Sequence, residues 1–298
     1  MSWQQAAVHR LLSAIGDDGG WGYRGGLVSA AEPTSVCCLV LAAHHNSDEV
    51  ISRGLRWLAS LQRVDGAVPI ASGISFPWWP TAHAVLAWQK AALHENAFFS
   101  EQTDRAVRWL LRTRGTGFRS NPAIYGHSTK LRAWPWVEGT HSWIEPTAYA
   151  MLALRAVGLG SHARMREAVA LLFDRAIPSG GWNYGNPRVF QNTLRPFPDT
   201  TGMALAALAG ESDSKAVRDG IDYLKDELPR TRAPFSLSWG LIGLAAHGVR
   251  PDAAGDWLAE SSQLLGEAGN ETFFDALLLL GDADPCPIVT VTGTAAHV

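Results

Sequence analysis

The stretch WIEPTAYAMLAL, Trp143–Leu154, decides the fold. An acid, a Pro-Thr step and a run of apolar residues follow one another, and the combination recurs. EPTSVCCLVLAA starts at Glu32 and WPTAHAVLAW at Trp79. With Glu32 and Glu145 in register, three more segments align: DTTGMALAAL from Asp199, FSLSWGLIGL from Phe235 and NETFFDALLL from Asn270. Each is about ten residues long and apolar nearly all round, which predicts a buried helix. Proline at the second position suits the first turn, where its missing N–H is no loss. Glu, Asp or Asn just before it is expected to cap the helix N-terminus.

A second class of helix precedes each of these. Its members are expected near 4–15, 50–62, 103–113, 164–176, 215–227 and 253–265. AVRWLLRTR and GIDYLKDEL place apolar residues at helical spacing and charges opposite. Six hairpins of outer amphipathic and inner buried helix predict an all-α fold, a single (α/α)6 toroid over 1–284 with a tail at 285–298. An open superhelix is the competing arrangement, but buried inner helices favour closure. Links from inner to outer helix are mostly short. Links from outer to inner are mostly long (16–31, 63–78, 115–144, 177–198), and long loops in compact domains are usually functional. In a toroid they gather at one mouth, with Glu32, Glu145 and Asp199.

Bulk properties are those of a globular chain. Of 298 residues, 47% are hydrophobic and 18% charged, with net charge −3, so nothing suggests a nucleic-acid partner. The N-terminus lacks the layout of a signal peptide and no apolar run reaches membrane-span length, so a cytoplasmic protein is expected. Three cysteines, Cys37, Cys38 and Cys286, form neither a disulfide framework nor a zinc pair. No metal or redox cofactor is expected.

RGLRWLASLQRVDGAV, Arg53–Val68, resembles the QW repeat of squalene and oxidosqualene cyclases, with Val68 in place of the final Trp. Weaker copies start at Arg105 and Arg166, the latter keeping Gly180 and Trp182, and DDGGWGY from Asp17 is another Gly-Trp end. The resemblance, to the prenyltransferase and squalene-oxidase repeat superfamily, covers nearly the whole chain. It implies a toroid and protonation-initiated (class II type) cyclisation of an isoprenoid-type substrate. The bacterial acid motif of that family, Asp-x-Asp-Asp then Thr, matches FPDTTGMAL at Asp199 and Thr201, with Phe197 and Thr200 at the flanking acids. The resemblance therefore implies Asp199 as the general acid. A zinc-dependent prenyltransferase is disfavoured, because no cysteine falls in the matching segment.

One turn below the helix tops the repeats carry Val36, His83, Tyr149, Met203, Trp239 and Phe274. They predict an aromatic and apolar wall able to hold an apolar substrate and to stabilise positive charge. Trp79, Trp136, Trp143, Trp182 and Tyr184 are added as substrate-binding candidates from the rim and the loops. AWPWVEGTHSW, Ala133–Trp143, reads as a lid in which Glu138 and His141 carry an acid–base pair, or as a loop pinned by its tryptophans. The catalytic candidates are Asp199, Glu145, Glu32 and His141, with His141 and Tyr149 expected beside Asp199. Each has a structural reading: helix N-termini favour acids, and a histidine on an apolar face is more often core. Arg119, Lys130, Arg132, Arg188 and Arg195 either hold a diphosphate or are ordinary surface cations. The expected partner is a small apolar molecule, with peripheral membrane contact and a homodimer both open. The alternatives are a non-catalytic lipid-binding or scaffold toroid, a toroid glycosidase or lyase, and a zinc-independent prenyltransferase-like protein.

Overall fold

A computed structural model describes residues 1–44, 48–74, 76–91, 98–119, 121, 124–211, 214–269 and 271–289. Among them the inner helices are α2 (Ala31–Ala43), α4 (Thr81–Lys90), α6 (Ile144–Ala156), α8 (Pro198–Ala207), α10 (Pro234–Ala245) and α12 (Thr272–Asp282). The outer helices are α1 (Trp3–Ser13), α3 (Asp48–Leu61), α5 (Ser100–Arg112), α7 (Ala163–Asp174), α9 (Lys215–Glu227) and α11 (Ala254–Ala268). Each inner helix packs on the next, and α12 returns to α2, so the inner ring is closed. The only strands among the described residues, β1 (Arg188–Val189) and β2 (Asn192–Thr193), form an antiparallel hairpin in a loop, outside the core.

The first and last described helices meet where the ring closes. Helix α1 packs on α11 and α12, and Arg10 grips the buried carboxylate of Asp275 with two hydrogen bonds of 2.8 and 2.6 Å. Past α12, Cys286 and Ile288 are buried in the same core. Residues 290–298 of the expected tail lie outside the described residues. Across the ring, α8 and α10 touch backbone to backbone. A Cβ on Gly202 would lie 2.0 Å from the Trp239 carbonyl oxygen, and one on Gly243 would lie 2.5 Å from Gly202 Cα. No described helix is long and apolar enough to cross a membrane.

The repeated threonine is a staple. The hydroxyls of Thr34, Thr81, Thr147 and Thr201 accept the backbone N–H of Trp21, Val68, Trp134 and Trp182 at 2.8, 2.9, 3.2 and 2.9 Å. Each long loop is thereby tied to the inner helix that follows it. The indoles of Trp21, Trp134 and Trp182 then donate to carbonyls of Leu11, Leu110 and Leu172 on outer helices. This network is the physical content of the repeat, and it satisfies backbone groups that would otherwise be buried unpaired.

The helix starts differ from expectation. Helices α2, α6 and α8 begin one residue before their acids, so Glu32, Glu145 and Asp199 are second residues within the helix. The capping positions are Ala30, Trp143 and Phe197, none with a side-chain cap. Pro33 and Pro146 fall third and Pro80 caps α4, while Pro198 and Pro234 hold the first position. The acids are therefore not held by capping and project from the first turn, where the helix dipole still favours negative charge.

Candidate active site at the toroid mouth

The long loops lie together at the inner-helix N-termini. Segment 115–144 meets 177–198 through Gly126 N–H to Arg188 O (3.1 Å), Phe190 N–H to Ile124 O (2.9 Å) and Ile144 N–H to Tyr184 O (3.0 Å). Three carboxyl groups project inside this mouth. Glu32, Glu145 and Asp199 are 5%, 9% and 8% exposed.

Their environments differ. Asp199 has both oxygens occupied: one accepts the Thr200 N–H at 2.6 Å, the other the Ser236 hydroxyl at 3.0 Å. Glu32 accepts the Tyr23 hydroxyl at 2.7 Å and is pushed up to about 7 by burial, with Tyr23 opposing the shift. Among the described residues nothing donates a hydrogen bond to Glu145. Burial, and then the charges of Glu32 and Asp199, push it up to about 8. It is the acid of the cluster that keeps its proton at neutral pH. The expected neighbours of Asp199 are not found there. His141 sits against Trp143 (4.3 Å between ring centroids) and Phe118, its pKa lowered by burial and by Arg175.

The wall below is built from the expected residues but is not open. Val36, His83, Tyr149, Met203 and Trp239 are all at most 3% exposed. The Tyr149 ring lies 3.7 Å from His83 and meets Trp239 edge-on at 5.2 Å, so the aromatics fill this level of the axis by packing on one another. His83 is pushed down to about 3 by burial. Its 3.6 Å approach to Glu32 is therefore no ion pair at neutral pH. Burial, then the charges of Glu32 and Glu145, raise the Tyr149 phenol, which stays neutral. The Phe274 ring contacts Phe273, and it is Phe273, missed in the sequence, that meets Tyr23 and Phe235 at the mouth. Trp182 does not reach the axis: it is fully buried in the outer wall against Gly220 of α9.

Trp79 and Trp136 meet edge-on at 5.0 Å at the rim, both half-buried. Trp143 and Tyr184 line a largely apolar cavity of about 350 Å³ together with Phe197, Leu194, Arg195, Asn183 and Asn186. Trp143 and Phe197 are the capping residues just before α6 and α8, two positions before Glu145 and Asp199. Tyr184 feels both acids, which add to the burial that raises its pKa. Glu138 is exposed, so no acid–base pair with His141 is buried in this loop. Three further participants were not singled out in the sequence: Tyr23, Ser236, and Glu271, which is paired with Arg24 at 2.6 Å. Tyr23 ends the quoted DDGGWGY motif, the one signal that pointed to it.

No family model matches the chain, and no curated protein matches it. Solved structures do. A variant of the type II terpene cyclase MstE from Scytonema, in complex with merosterolic acid A (product), superposes with TM-score 0.61 at 14% identity, covering 96% of each chain. The chain has the α/α-toroid fold of the terpenoid cyclases. An ent-copalyl diphosphate synthase from Streptomyces platensis matches with TM-score 0.55 at 18% identity over 85% of this chain and 50% of its own. An alpha-amylase from Clostridium perfringens also reaches TM-score 0.61, at 10% identity over 94% of this chain and 96% of its own. The toroid alone therefore does not choose between these chemistries; the side chains at the mouth must.

Proposed function

We propose that this toroid is a terpenoid cyclase-like enzyme that starts cyclisation of an apolar isoprenoid-type substrate by protonation, with Glu145 as the proton donor. One observation carries the reading: a buried carboxyl to which no described residue donates a hydrogen bond, its pKa pushed up to about 8 by burial and by Glu32 and Asp199, follows two residues after Trp143, which lines an apolar cavity of about 350 Å³. A Brønsted acid for an alkene or epoxide needs that combination, since a carboxyl that keeps its proton at working pH is the one able to give it. Asp199, the acid the motif suggested, serves instead as a fixed acceptor whose charge helps keep Glu145 protonated. A cavity of this size is within the range of small-molecule sites.

In this reading the substrate enters between Trp143, Tyr184 and Phe197 with its reacting end at Glu145. The proton adds to the terminal alkene or epoxide, the cation is consumed by ring closure, and a proton lost from the final cation restores neutrality. The aromatic rings that line the cavity, Trp143, Tyr184 and Phe197, offer negative quadrupoles to the developing charge. Two solved structures of MstE variants contain geranylgeranyl dihydroxybenzoate (substrate), which makes polyprenyl compounds the first to try here.

The test is incubation with polyprenyl substrates, with and without a terminal epoxide, followed by mass-spectrometric product analysis. Cyclised product from the wild type and a loss of about 10²- to 10⁴-fold in Glu145→Gln are expected. Full activity in Glu145→Gln would remove it as the acid. Release of reducing sugar from an α-glucan, without any cyclised product, would replace this reading with the glycosidase one.

A further inference from the structure

The surface of the mouth is unlike the rest of the molecule. Of the fourteen large hydrophobic residues exposed among the described ones, eleven lie in the four long loops, Val28, Phe76, Phe118, Phe190 and Leu194 among them. Phe98 alone lies in a loop of the opposite end. The two contacting loops 113–143 and 175–197 add seven Lys/Arg against a single acid, Glu138, in a chain whose net charge is −3. Arg119, Lys130, Arg132, Arg188 and Arg195 are exposed, and none forms an ion pair with a described residue.

The β1–β2 hairpin concentrates both features. Its two central residues, Phe190 and Gln191, have φ of 47° and 65°. Such turns favour Asn-Gly, and a bulky aromatic at positive φ is disfavoured. The Phe190 side chain is 67% exposed, so it gains little from packing in return. A strained, exposed aromatic flanked by an unpaired Arg188 has no evident reason within the fold itself.

We propose that the mouth docks on an anionic lipid surface, with the β1–β2 hairpin inserting Phe190 below the headgroups and the surrounding cations contacting them. Apolar insertion and a basic patch are together sufficient for reversible membrane binding, whereas either alone is marginal. The positive excess selects an anionic lipid surface over a neutral one. This docking would bring the cavity opening against the phase in which apolar molecules dissolve. It stands on the surface alone, and failure of the protonation chemistry would leave it intact.

The experiment is flotation of the full chain with vesicles of phosphatidylcholine alone or mixed with phosphatidylglycerol, at low and high salt. Wild-type binding is expected only with phosphatidylglycerol, weakened by salt. Arg119→Glu with Arg188→Glu should reduce it by at least about tenfold. Phe190→Asp should also reduce binding, yet leave thermal unfolding no lower than wild type, because Asp tolerates positive φ better than Phe. Phe98→Ser, at the opposite end, should bind like wild type. The proposal is overturned if the wild type binds no vesicle at low salt, or if the mouth variants bind as well as it does. Equal weakening by Phe98→Ser would also overturn it.

Discussion

The two ends of the toroid are made from the same twelve helices and differ in almost every other respect. At the mouth, inner helices present N-termini, loops are long and stapled, Glu32, Glu145, Asp199 and Glu271 are buried and cations are exposed. At the opposite end, inner helices present C-termini, loops are short, and side chains pair between neighbouring hairpins, as Arg155 does with Glu211 at 3.0 Å. Helix polarity explains part of the contrast, since the dipole favours acids in the first turn and not in the last. It does not explain Glu145, where burial and two neighbouring acids override the dipole and raise the pKa. What the comparison teaches is that the fold permits acids at the mouth, and burial, helped by their crowding, raises the pKa of Glu145 to about 8.

The largest expected effect breaks the mouth's scaffold. Trp182→Ala removes a fully buried indole and its hydrogen bond to Leu172 O, and should cost about 3–5 kcal/mol in urea unfolding. Leu159→Ala, in a short loop at the other end and partly exposed, should cost less than half as much. Equal losses would erase the claimed asymmetry in loop anchoring. Thr147→Val is a finer cut: it keeps the shape of the staple but leaves the Trp134 N–H without its acceptor. The expected cost is about 1–3 kcal/mol.

The register of the six repeats was legible from the sequence, because apolar faces all round a ten-residue segment leave little choice but burial. Residues 33, 80, 146, 200, 236 and 271, expected as helix starts, fall within two residues of the observed ones. The capping role of the acids was misread: sequence gives the residue, but whether the first helical turn begins before or after it depends on the loop. The Thr staple went unread for a related reason, as its partner lies thirteen residues upstream in three repeats and nineteen in the fourth. At the site, Glu32, Glu145 and Asp199 were brought together by register alone. Their ranking was not legible, since it rests on which carboxyl finds donors: Ser236 and the Thr200 N–H serve Asp199, Tyr23 serves Glu32, and no described residue serves Glu145.

The raised pKa of Glu145 has a stability consequence with a definite sign. The folded state holds its proton to about pH 8, while the unfolded chain releases it near the ordinary value of 4.5. Below about 4.5 the group is protonated in both states and its contribution is fully present. Between there and about 8 the unfolded state sheds the proton first, so stability falls as pH rises. Glu145→Gln cannot titrate, and the stability difference between variant and wild type should grow in the variant's favour across that window, read by urea unfolding at a series of pH values. A constant difference would mean that Glu145 titrates normally. The smallest effect expected is at the hairpin: Phe190→Asn should leave stability unchanged or raise it by about 0.5 kcal/mol, relieving positive φ, measured by thermal unfolding.

The most direct test is the ionisation of Glu145 itself. Infrared difference spectra of the wild type and Glu145→Gln isolate the carbonyl stretch of one protonated carboxyl. A band present at pH 7 in the wild type, absent in the variant and lost on titration near pH 8 is predicted. A Glu145 carboxyl already ionised at pH 6 would contradict the account, because the assigned donor would then have no proton to give.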